Sequence, residues 1–167
     1  MESTHAFVDP CADGVCKERL CGRVQRDLKS FNFLADNDLH EIAAYLECRQ
    51  VREGQSLWKE SDSGDFVAFV VHGQLLEEKS TEFPGKRVVM GVFNRGSMVG
   101  EHSILEGSKR PSSMSAKQHT DLVILSRTSF EALVKDNPTL GVKLLKGMLL
   151  ASSARLRKSY ERISSIF

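Results

Sequence analysis

Charge of one sign is what this sequence lacks: 23 Lys and Arg stand against 22 Asp and Glu. Without a basic excess there is no overall electrostatic footprint for nucleic acid. Apolar runs are short, and none approaches the roughly 18 residues that span a bilayer. The opening MESTHAFVDP has neither a basic start nor an apolar core, so no secretory signal is expected, and a cytoplasmic protein follows as the default. Cysteine is scarce, with four residues, Cys11, Cys16, Cys21 and Cys48. Three of them fall at C-x4-C-x4-C spacing, which is no known zinc pattern. Free thiols in a reducing compartment are the expected reading. A redox or iron–sulfur site, with Cys48 as fourth ligand, is the alternative. No nucleophile–base set and no metal motif stands out, so neither an enzyme nor a metal or other cofactor is expected.

What the sequence does contain is a change of period along the chain. Residues 1–30 lack sustained periodicity and read as an N-terminal extension, partly helical between Val15 and Leu28. Leu34, Leu39, Ile42, Ala43 and Leu46 then fall at helical spacing, with Asp36 or Asn37 placed to cap the start. From residue 49 to 126 short β-rich runs alternate with turn residues, among them Glu53-Gly54, Ser63-Gly64-Asp65, His72-Gly73, Pro84-Gly85 and Arg95-Gly96. The runs are Ser56–Trp58, Phe66–Val71, Val88–Met90 and Leu122–Leu125. Many short strands between tight turns predict an antiparallel sandwich or barrel rather than βαβ units. After Arg127 the helical period returns. Phe130, Leu133 and Val134 predict a short helix capped by Thr128 or Ser129, and Pro138 opens a long C-terminal helix.

Two segments carry chemistry. One is Gly96-Ser-Met-Val-Gly100-Glu101-His102-Ser103-Ile104-Leu105, the other Lys109-Arg110-Pro111-Ser112-Ser113-Met114-Ser115-Ala116. Gly100 permits close approach of backbone to a ligand. Residues 101–105 can make one helical turn whose first N–H groups would face an anion. Glu101 can accept hydrogen bonds from a sugar hydroxyl, and Arg110 can offer a guanidinium fork to a phosphate.

With these residues in view, the chain resembles the cyclic-nucleotide-binding domain family, which includes the catabolite activator protein and the kinase regulatory subunits. The family's cassette runs Phe-Gly-Glu-x-Ala/Ser-Leu and then Arg-Ala/Ser-Ala/Thr, ending in Val-x-Ala. Here it reads Val99-Gly100-Glu101-His102-Ser103-Ile104-Leu105 and Arg110-Pro111-Ser112-Ser113-Met114-Ser115-Ala116, with Glu101 and Arg110 nine positions apart. Gly54, Gly64-Asp65, His72-Gly73-Gln74, Phe130-Glu131-Ala132-Leu133 and Asn137-Pro138 match its flanks. The resemblance implies a mainly β fold, an antiparallel β-roll of the jelly-roll type with an N-terminal helix and a long C-terminal helix. After the extension over 1–30, it implies the nucleotide-binding roll with its flanking helices over 31–137 and a dimerisation or hinge helix over 138–167.

The function so implied is a non-enzymatic sensor of cAMP or cGMP that relays its signal through the C-terminal helix. Ligand-binding residues would be Gly100, Glu101, His102, Ser103, Arg110, Pro111 and Ser112, with Glu101 on the ribose 2′-hydroxyl and Arg110 on the phosphate. Met90 and Phe93 would face the base. Two residues depart from the pattern. Pro111 has no N–H where relatives use one to hold the phosphate, and Ser112 is placed to compensate through its hydroxyl. A hydroxyl directly after the arginine, which goes with cGMP in some relatives, is absent as well. Val99 replaces the usual Phe.

The last helix carries Leu145, Leu149, Ser152, Leu156, Ser159, Ile163 and Ile166 in 4-3 alternation, a heptad seam that fits a helix packed on its own roll or, the favoured reading, a parallel homodimer. Its Lys143, Lys146, Arg155, Arg157, Lys158 and Arg162 read as a solvated face, with no contact to nucleic acid or membrane. The sequence is equally open to a stand-alone sensor and to a fragment lacking an effector domain. A rival to the sensor is a roll that has lost its ligand and serves as an interaction module.

Overall fold

The computed structural model describes residues 34–165; Cys11, Cys16, Cys21, the proposed extension over 1–30 and Ile166 lie outside them. The element order is α1 (Asp36–Ala43), β1 (Leu46–Val51), β2 (Ser56–Trp58), β3 (Phe66–His72), β4 (Gln74–Ser80), β5 (Arg87–Asn94), β6 (Met98–Val99), α2 (Glu101–Glu106), β7 (Ser113–Ala116), β8 (Thr120–Ser126), α3 (Arg127–Asp136) and α4 (Pro138–Ser164). The eight strands form two four-stranded sheets, in the orders β1-β8-β3-β6 and β2-β7-β4-β5, and every pairing is antiparallel. The antiparallel pairing is what the turn spacing predicts, and the β-roll with flanking helices is what the resemblance implies.

The apolar run in β3 has a direct cause. Val67, Phe69 and Val71 pack outward with the helical residues Leu39, Ile42, Leu133, Leu140 and Leu144. Ala68 and Val70 alternate to the other face and pack with Trp58, Leu75, Met114, Leu122 and Ile124 inside the roll. A strand buried on both faces has no polar positions and reads as a continuous apolar stretch. β5, an edge strand, shows the opposite, with Val88, Val89, Met90 and Val92 all more than 40% exposed.

Three local expectations are corrected. Asp36 and Asn37 do not cap α1. Ala35 is the cap residue, and Asp38 reaches back to accept its N–H at 2.8 Å. Leu46 does not continue that helix but opens β1, paired with Leu125, because its apolar side chain serves equally well in a half-buried strand. Helix α3 is capped by Ser126, whose hydroxyl accepts the Ser129 N–H at 3.1 Å, rather than by Thr128 or Ser129. Pro138 does open α4, with Asn137 accepting the Leu140 N–H at 3.0 Å.

Candidate functional site

β6 delivers the chain to Gly100, whose φ of 85° starts α2 from the left-handed region. A side chain there would run into the Arg110 guanidinium. Glycine is therefore required for Arg110 as well as for the turn. The following helical turn places Glu101 and Ser103 inward, both 1% exposed, and leaves His102 outward with its Nδ1 3.2 Å from Glu101 Oε1. The Ser103 hydroxyl donates to Lys109 O at 3.5 Å.

Arg110 is 2% exposed. Its backbone is tied across the loop by Arg110 N to Asp62 O and Ser61 N to Arg110 O, each 2.9 Å. Its guanidinium donates to Phe66 O at 2.7 Å and Gly100 O at 3.2 Å, and sits in the corner between the Trp58 and Phe66 rings, 4.0 and 4.5 Å from their centres. Burial lowers the Arg110 pKa to about 10, against the opposing pull of Asp65 and Asp62. The group thus stays charged at neutral pH while two carbonyls take part of its donor capacity. Nε is buried with no partner.

Helix α4 closes the other side. Its Ser152 hydroxyl donates to Glu101 Oε1 at 3.0 Å, Arg155 forms an ion pair with the same carboxylate, and Arg155 NH1 donates to Met98 O at 2.7 Å. Burial lowers the Arg155 pKa, while Glu77 raises it. Glu101 Oε2 is left buried and without a partner. The result is a cavity of about 270 Å³ whose lining includes Gly100, Glu101, His102, Ser103, Arg110, Pro111 and Ser112. All seven residues singled out from the two segments therefore meet at one place.

Phe93 also lines the cavity, but Met90 does not. Met90 falls at the register shift where Glu77 pairs with Gly91 and Glu78 with Val89, a bulge that leaves it 47% exposed. Trp58, Glu77, Ser152, Arg155, Leu156 and Ser159 line the cavity too, and the sequence reading did not assign them to the site. Arg155 is not part of a solvated face, and Ser152 and Ser159 interrupt the apolar seam because they border a polar cavity. Their one sequence signal was that interruption. Ser112 does not offer its hydroxyl to the cavity: it donates to the Glu77 carboxylate. Among the described residues no cluster of His, Cys, Asp and Glu forms a metal-binding group, and no helix is long and apolar enough to cross a membrane. Cys48 lies buried on β1.

A buried carboxylate and a buried guanidinium line one cavity, and each has one buried atom without a partner, an arrangement chemically suited to a small polar ligand. Comparison with known proteins narrows the class. A segment of the chain is 33% identical over 117 residues to lysophospholipase NTE1 of Phaeosphaeria nodorum, covering 70% of this chain and 8% of that protein. The corresponding protein of Aspergillus fumigatus is 31% identical over 118 residues, 70% of this chain and 7% of that protein. The chain thus spans under a tenth of the length of these relatives. Among solved structures, a cyclic nucleotide-binding domain from Methylobacillus flagellatus superposes with a TM-score of 0.78 at 25% identity, over 98% of this chain and 97% of that one. The catabolite activator protein of Thermus thermophilus shares the fold, with a TM-score of 0.68 at 23% identity over 82% of this chain and 62% of that one. The sequence profile of the cyclic nucleotide-binding domain matches residues 48–137, from β1 through α2 and the Arg110 loop to the residue that caps α4, and the chain belongs to that family.

Proposed function

We propose that this domain is a regulatory sensor that binds cAMP or cGMP in the cavity between α2, the Arg110 loop and α4. The observation that carries the reading is the pair of buried, unpartnered atoms, Glu101 Oε2 and Arg110 Nε. An acceptor and a charged donor left open together match a ribose hydroxyl and a cyclic phosphate. Ser152 and Arg155 hold the other carboxylate oxygen, so Glu101 is already oriented before a ligand arrives. The same contacts join the site to α4, which gives the ligand a physical handle on the C-terminal helix. The Toxoplasma gondii kinase regulatory domain, a fold neighbour at 16% identity and TM-score 0.68, is described in complex with cAMP.

The role proposed is binding, not catalysis. The lysophospholipase relatives share only this segment, so their activity is not transferred to the chain. Helix α4 is proposed as the dimer contact. Leu149, Leu156 and Ile163 recur at heptad spacing and are each more than half exposed, flanked by Val142 and Tyr160.

The second reading, an interaction module without a ligand, has its own observation. Pro111 has no N–H, the Ser112 hydroxyl is taken by Glu77, and Arg110 already bonds two carbonyls. Isothermal calorimetry with cAMP and with cGMP decides between the two. Saturable binding of either at 1:1 stoichiometry is expected. No heat with either at millimolar ligand would leave the interaction module.

A further inference from the structure

Glu77 is the feature of the cavity that phosphate and ribose recognition do not use. It stands on β4, paired with Met114 of β7 and Gly91 of β5, and lines the cavity together with Phe93 and Arg155. Its Oε1 accepts the Ser112 hydroxyl. The adjoining Pro111 has no N–H, and its carbonyl accepts Lys79 Nζ at 2.6 Å from outside. Of the donors on this side, the Ser112 hydroxyl is occupied by Glu77 and the Arg155 guanidinium is engaged with Glu101 and Met98 O, so the group left to meet a ligand here is the Glu77 carboxylate. A carboxylate offers about four lone-pair positions, so the Ser112 bond leaves capacity for a ligand.

The part of a cyclic nucleotide that meets Glu77 must donate. The cyclic phosphate has no donor, and the 2′-hydroxyl has Glu101. The remaining donors belong to the base. Guanine carries an N1–H and an N2 amino group side by side, a spacing that two carboxylate oxygens can accept together. Adenine carries one amino group, and its N1 lone pair would face the carboxylate.

Resting on the sensor reading above, we propose that Glu77 is the base-specificity residue of this site and that the cognate ligand class is a cyclic nucleotide with guanine. The selectivity comes from an acidic residue on β4 and not from the residue that follows the arginine.

Calorimetry with 3′,5′-cyclic GMP, cyclic IMP and cyclic AMP tests this on the wild-type chain and on Glu77→Gln, with Ser112→Ala as a second variant. Wild type is expected to bind cGMP at least about tenfold more tightly than cAMP. cIMP, which keeps N1–H and lacks the amino group, should fall between them. Glu77→Gln presents one acceptor and one donor, which complements adenine, so the order should reverse towards cAMP. Ser112→Ala keeps the carboxylate and should keep the wild-type order. Thermal melting of each variant confirms that it folds. Equal or stronger binding of cAMP by wild type overturns the proposal, and so does a cGMP preference that survives Glu77→Gln. A loss shared equally by all three ligands in both variants also overturns it, since Glu77 would then only anchor Ser112. Those outcomes leave the sensor reading standing, whereas wild type that binds none of the three ligands removes both.

Discussion

Gly100 and Arg110 depend on each other through space, and substitutions at either separate folding from binding. Gly100→Ala forces a side chain to φ 85° and against the guanidinium. A cost of about 1–3 kcal/mol is expected from the backbone alone, read as a lower urea midpoint. Arg110→Ala removes the charged donor that faces the cavity, and we expect cyclic-nucleotide affinity to fall by at least about 3 kcal/mol, more than a hundredfold. Arg110→Lys should recover only part of this, because an ammonium cannot fill the corner between Trp58 and Phe66 or bond two carbonyls as a fork. With its pKa held near 10, Arg110 should keep ligand affinity flat around neutral pH and lose it as pH rises through that value. The linkage to stability runs the other way. A cation whose folded pKa lies below its unfolded value carries its burial penalty at low pH, and the penalty is relieved as pH rises above about 10. Pro111→Ala restores an N–H beside the phosphate position, and should tighten binding by about 1–2 kcal/mol in calorimetry if that N–H is the missing donor.

Helix α4 behaves as two segments. Its first half buries Leu140, Leu144 and Met148 against α1, α3 and the outer face of β3. Leu144→Ala should cost about 2–5 kcal/mol in chemical denaturation. At the same end Lys143 Nζ lies 2.8 and 2.7 Å from the two Asp38 oxygens, which with the Ala35 N–H hold the Asp38 pKa below its ordinary value. The Lys143 side chain is 41% exposed, so Lys143→Ala should cost no more than about 1 kcal/mol. That contribution is present above the unfolded pKa near 3.8 and is lost as pH falls through the lower folded value. The second half touches the roll mainly through Ser152, Arg155 and Arg162. It is therefore the part expected to change amide exchange when a ligand engages Glu101.

For the whole molecule, the outer stripe of α4 leaves Val142, Leu149, Leu156, Tyr160 and Ile163 each more than half exposed, and a second copy is the proposed cover. Light scattering at micromolar concentration should give about twice the 18.6 kDa chain mass. Leu149→Glu should return the monomer, because it places an unpaired charge in the seam. A monomeric wild type, with and without nucleotide, would refute the dimer. The three N-terminal cysteines lie outside the described residues, and replacing all three with serine is expected to leave nucleotide affinity unchanged.

Local sequence determined the turns and the strands with a strong apolar run. Alternation and turn residues act between near neighbours, so the runs at Ser56–Trp58, Phe66–Val71, Val88–Met90 and Leu122–Leu125 were legible, as was Pro138 at the head of α4. The order of Gly100, Glu101 and Arg110 was legible too, because one short loop and one helical turn carry them. Strands with mixed patterns were not: Gln74–Ser80 places Glu77 and Glu78 in a strand, which only pairing on both sides explains. Tertiary structure alone decided what completes the cavity. Ser152 and Arg155 are more than fifty residues from Glu101, and a helix sequence does not say which neighbour its polar face will meet. The bulge that turns Met90 out and the carboxylate that takes Ser112 are likewise set by how β4 registers against β5 and β7. Such contacts depend on packing between distant elements, and no local propensity encodes them.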